Sequence, residues 1–213
     1  MQTDRLIESL AAQLQPVRRL HAPLLRALLW LALVGAVSAA LIMREAQLGI
    51  FMQRMATPRI AVDCIATGLT AIAAIIAAFE LSVPGHSPLW SLLPLPPLLL
   101  WLGSSGLGCL KNGLSLYGPN GFVGDSYGCF AFIAAASVPL AAGLFWMLRR
   151  ARPIAPLPVA ALGTLGVAAT SAFILQFFHP FDVTVIDLTL HLAAVGLVIL
   201  IGTLWRRPLL AAK

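Results

Sequence analysis

Polar positions in this chain are few, and they fall at intervals that leave long apolar stretches between them. Ionisable residues bound charge-free runs at 27–43 (Arg26 to Arg44), 64–79 (Asp63 to Glu80), 81–110 (Glu80 to Lys111), 126–148 (Asp125 to Arg149), 153–181 (Arg152 to Asp182) and 188–205 (Asp187 to Arg206). Roughly 20 apolar residues in helical form cross ~30 Å of hydrocarbon, and strand-like alternation is absent, so each run predicts a membrane-crossing helix. The run CFAFIAAASVPLAAGLFWML and the last one are the clearest. The second reaches full length when Ile60 and Asp63 join its first turn. In the third, Pro94-Leu95-Pro96-Pro97 removes helical N–H donors within the apolar stretch and predicts a kinked or broken helix.

Composition fixes the surrounding medium. The 213 residues are 60% hydrophobic and 10% charged, with a mean hydropathy of +0.92, which leaves too few charges to cover a soluble globule. The expected fold is therefore all-α: a polytopic membrane protein with six transmembrane helices over 24–205, a short amphipathic leader at 1–23 and a tail at 206–213. A cleaved signal peptide is the alternative for the first run, since Ala36-Val37-Ser38-Ala39 resembles a cleavage site. The polar leader is long for that, and the apolar run continues to Met43.

Basic residues set the orientation. Arg5, Arg18, Arg19 and Arg26 in the leader, Arg149, Arg150 and Arg152 after the fourth run, and Arg206, Arg207 and Lys213 in the tail are ten of the fourteen. Six spans place these segments on one side, which the positive-inside rule makes cytoplasmic, with both termini inside. Arg44, Arg54 and Arg59 in the first loop run against the trend. Cys64, Cys109 and Cys129 then fall toward the outer face, as do His179 and Asp182 at the exit of span five and Asp187 and His191 at the start of span six.

The segment FFHPFDVTVIDLTLH is thus a polar cap on the outer side. Asp187 and His191 are four apart and share a helical face. One reading is a metal site built from His179, Asp182, Asp187, His191 and the cysteines, although no tight ligand spacing occurs. The other is structural: Pro180 and Asp182 make a turn and helix cap, and Asp187 pairs with His191. Cys109 and Cys129 flank the turn-rich KNGLSLYGPNGFVGDSYG, where a disulfide is the competing use of the thiols against burial as small hydrophobes.

In the leader, Leu6, Leu10, Leu14 and Val17 form an apolar stripe on a helix that Thr3 can cap and Pro16 should end. Such a stripe lies on a membrane surface or enters a partner's groove.

Three stretches carry a resemblance: TDRLIESLAAQLQPVRRL, YGCFAFIAAASVPLAAGLFWMLRRARPIAPLPVAALGTLG and HPFDVTVIDLTLH. With the six predicted spans they resemble the NrsF family of bacterial inner-membrane anti-sigma factors over nearly the whole chain. The resemblance implies a protein of the inner membrane that restrains an extracytoplasmic-function sigma factor and releases it under metal or oxidative stress through cysteines. It implies no enzymatic activity, no cofactor and no direct nucleic-acid contact, with the sigma factor and the lipid bilayer as partners. Leu6, Leu10, Leu14, Arg18 and Arg19 become the expected sigma-factor contact, while the acid-poor inner loops also suit anionic headgroups. Cys129 matches the family cysteine before span four, whereas His179 stands where a second family cysteine commonly sits. Cys109, or a mixed Cys/His metal site drawing on Asp182, Asp187 and His191, would replace that thiol in sensing. A small transporter or a membrane redox protein is the competing class, resting on the proline-rich run, Glu80 and the outer His/Asp cluster. No internal repeat or cofactor motif supports it.

Overall fold

The computed structural model describes residues 2–12, 20–45, 48–111, 124–178 and 185–210. Among these the chain is helical, in the order α1 (Gln2–Ala12), α2 (Pro23–Glu45), α3 (Leu48–Met55), α4 (Pro58–Leu81), α5 (Leu95–Lys111), α6 (Gly124–Leu148), α7 (Pro156–Leu175), α8 (Val185–Leu204) and α9 (Arg206–Leu210). The all-α expectation holds.

Four stretches among the described residues, rather than six, are long and apolar enough to cross a membrane: Pro23–Arg44, Pro58–Leu81, Phe130–Ala151 and Pro156–Leu175. The shortfall has local causes. The predicted run 81–110 is spent first on a turn, in which Gly85 takes φ +89°, and then on a 3-10 segment at Pro88–Leu92, so α5 keeps 17 residues. Helix α8 keeps 20 residues, Val185–Leu204, and Leu188–Leu204 is its apolar stretch among the described side chains. At ~1.5 Å per residue α5 rises about 25 Å, short of a full hydrocarbon core, whereas the 20 residues of α8 rise about 30 Å.

Of the kinked or broken helix expected in the third run, the structure shows the break, since α5 starts only at Leu95 after the 3-10 segment. Pro96 and Pro97 occupy the first turn of α5, where a missing N–H is not needed, and Pro94 is buried just before it, its carbonyl accepting from the Leu98 amide at 3.0 Å. Ile60 and Asp63 do lie inside the second long helix, which begins at Pro58. Helix α3 in the first loop is an addition that polarity alone did not announce. Thr3 lies within α1, which already includes Gln2, rather than capping it.

Helices α4 and α7 form the centre of the bundle. Against α4 pack α7, α5 and α2; against α7 pack α8 and α6 as well. Apolar burial offers little between helices in lipid, so close approach of backbones over small residues matters more. At Gly166 of α7 a Cβ would stand 2.6 Å from Ile75 Cδ1 and 3.1 Å from the Ile75 amide nitrogen, and at Gly202 of α8 it would stand 1.9 Å from Thr164 Cγ2. Glycine at both positions is what lets α4–α7 and α7–α8 close. Buried hydroxyls stay satisfied within this core: Thr67 and Thr70 donate to carbonyls one turn back, both at 2.7 Å, and Ser137 meets Ser171 at 3.2 Å across α6 and α7. The outside of the bundle carries exposed Leu28, Leu29 and Leu33 on α2, Leu99 and Leu100 on α5, and Leu200 and Ile201 on α8, a surface suited to lipid.

Candidate functional site

The most developed polar site in the bundle centres on Asp63, in the second turn of α4. Its side chain is 7% exposed. Oδ1 accepts from Ser104 Oγ at 2.7 Å and Ser105 Oγ at 2.6 Å, both on α5, and Oδ2 accepts from Gln176 Nε2 at 3.1 Å at the end of α7. A buried carboxylate without donors is expensive in a low-dielectric interior, and here three donors from two other helices meet it. The consecutive serines both reach one oxygen because Ser104 and Ser105 lie on the α5 face that packs on α4, where both are buried.

Beside this cluster, a lid of aromatic and basic contacts joins α3 to the end of α7. Helix α3 lays Phe51 on Phe177 with ring centroids 4.3 Å apart, Phe177 meets Phe173 edge-on at 5.4 Å, and Arg54 Nη1 donates to the Gln176 carbonyl at 3.4 Å. Gln176 therefore links the lid to Asp63 through one residue. Cys64, next in the chain, is buried as a free thiol.

Sequence reasoning treated Asp63 only as a helix boundary, and missed Ser104, Ser105 and Gln176. The available signal was the requirement that a carboxylate inside an apolar run find donors, with a Ser-Ser pair in the next run as the obvious source.

The expected sensing residues fare unevenly. His179 and Asp182 lie outside the described residues. Cys109 falls near the end of α5, Cys129 in the second turn of α6 and Asp187 in the first turn of α8, with their side chains outside the described residues. His191 follows Asp187 by one turn on α8 and is half-buried. No group of three or more metal-ligating side chains converges among the described residues. In the leader, Leu6 and Leu10 are each 58% exposed on α1 and Ile7 is exposed beside them, while Leu14, Arg18 and Arg19 lie outside the described residues.

At the opposite end of the bundle from Asp63, Glu80 is buried and its Oε2 meets Nδ1 of His86 at 2.8 Å. This pair ties the end of α4 to the turn that follows it.

Residues 10–211 match the family described as NrsF, negative regulator of sigma F. The chain belongs to the NrsF family. No curated protein and no solved structure matches it. The NrsF match covers the bundle and the end of the leader, so the Asp63 cluster and the Glu80–His86 pair both lie within the matched region.

Proposed function

We propose that this NrsF protein holds an extracytoplasmic-function sigma factor at the bacterial inner membrane through its leader, and releases it when redox or metal stress is read at the outer face. Family membership supports the sigma-factor partner. The observation that carries the choice of contact is α1: Leu6, Ile7 and Leu10 present apolar surface that the bundle does not cover. Arg18 and Arg19 extend that contact, and Leu14 continues its stripe. In this reading the chain crosses the membrane six times with both termini cytoplasmic, as the arginines after α6 and in the tail favour.

Sensing falls to Cys129, with Cys109, His179, Asp182, Asp187 and His191 as partners on the same face. A bridge or a bound metal there shifts α6, which runs directly into Arg149 and Arg150. Tenfold release of the sigma factor requires ~1.4 kcal/mol of differential affinity between the two packings.

The test of the contact is Leu10→Asp. Burying a leucine contributes ~1.5–3 kcal/mol, so the substitution should weaken sigma-factor co-purification at least tenfold and derepress its regulon, with the protein still inserted. Full repression by Leu10→Asp at normal protein level rules the stripe out.

A further inference from the structure

Arg26 presents a different puzzle. It lies in the first turn of α2, at the end of the bundle where α4 and α6 finish, and is 5% exposed. Its guanidinium stands 5.1 Å from the centre of the Phe79 ring, and Nη2 donates to the Met147 carbonyl. Nη1 is enclosed and has no hydrogen-bond partner among the described residues. Among the described residues no carboxylate answers this charge: Glu80, beside Phe79, is engaged by His86. Arg150, three residues beyond Met147, brings a second guanidinium to the same helix end.

Arg150 is exposed and is held in place by stacking on Trp146, 3.8 Å from the ring centre. Two like charges are brought together with one unmatched donor, which is the arrangement that a shared anion satisfies. The depth is informative too. Leu24, Leu25, Leu28 and Leu29 are exposed on the other side of α2 from the buried Arg26, and Trp146 is half exposed, so the pair sits beside the lipid-facing surface at a helix end, where headgroups lie.

We propose that Arg26 and Arg150 form a site for a phosphate group, that of an anionic phospholipid, clamped between the start of α2 and the end of α6. The phosphate oxygens accept from the exposed Arg150 guanidinium, and the enclosed Nη1 of Arg26 turns toward the same phosphate when it binds. The site is independent of the leader, and its occupant fixes the spacing of two helix ends that carry the basic face of the protein.

The test uses the full chain purified in a neutral detergent, with thermal unfolding followed after addition of phosphatidylglycerol, phosphatidylcholine or inorganic phosphate, and bound lipid counted by native mass spectrometry. Phosphatidylglycerol should raise the unfolding midpoint and one molecule should be retained, with phosphatidylcholine far weaker. Arg150→Gln, on an exposed side chain, should reduce the affinity for phosphatidylglycerol at least tenfold, and Arg26→Gln should abolish retention. Arg59→Gln, an equal change of charge at the other end of the bundle, should leave it intact. Inorganic phosphate reproducing the shift in the parent but not in Arg150→Gln would keep the site and make a free anion its source. The proposal is overturned if phosphatidylglycerol neither stabilises nor stays bound, or if Arg59→Gln loses as much as Arg150→Gln. It is equally overturned if Arg150→Gln binds lipid normally but loses the sigma factor, which would make an acidic partner segment the occupant. Should Arg26→Gln fail to fold, Arg150→Gln alone decides.

Discussion

Replacing Asp63 with alanine removes the acceptor on which α4, α5 and α7 converge. Three hydrogen bonds are lost, from Ser104, Ser105 and Gln176. Polar contacts between membrane helices average ~0.6 kcal/mol each and reach ~1.7, so their loss amounts to about 2–5 kcal/mol. Ser104 loses least, because its hydroxyl also reaches the Trp101 carbonyl at 3.0 Å. Taking ~2–4 kcal/mol, and ~2–4 °C per kcal/mol for a chain of this size, the unfolding midpoint in detergent should fall by roughly 5–15 °C. Asp63→Asn keeps an oxygen for the serines and should fall between alanine and the parent. Thermal unfolding followed by far-UV circular dichroism measures all three proteins. An unchanged midpoint for Asp63→Ala refutes the assignment of stability to this carboxylate, and an Asp63→Asn protein as weak as the alanine variant refutes acceptor count as the cause.

Gly166→Ala should destabilise by ~1–3 kcal/mol, because its Cβ would press on Ile75; the added change Ile75→Ala should recover part of the loss, measured as unfolding midpoints in detergent. Reporter fusions should place residues 111–128 outside and 149–156 inside; the reverse would move every outer-face assignment to the cytoplasm. Cys129→Ser should hold the protein in one signalling state, unresponsive to oxidant or thiophilic metal in a regulon reporter, while Cys64→Ser should change little, its thiol being buried in α4. A normal response by Cys129→Ser would move attention to Asp187 and His191.

Composition and order pointed to lipid as the medium and to an all-helical class. A tenth of the residues charged, gathered at the ends of apolar runs, is a property of composition and order, and helices follow because lipid leaves the backbone no other partners. The amphipathic leader was legible for a similar reason, since Leu6 and Leu10 are one turn apart whatever else the chain does. Helix ends were less so: Pro96 and Pro97 restrict a helix equally as a kink or as a first turn, and only the preceding turn and 3-10 segment decide for the latter. Tertiary structure alone decided which polar residues meet. Asp63 and Gln176 are 113 positions apart, Arg26 and Met147 are 121 apart, and no local period links them. Their partners are chosen by how α4 and α7 approach over Gly166 and how α2 lies against α6, and those approaches depend on the fit of many side chains at once.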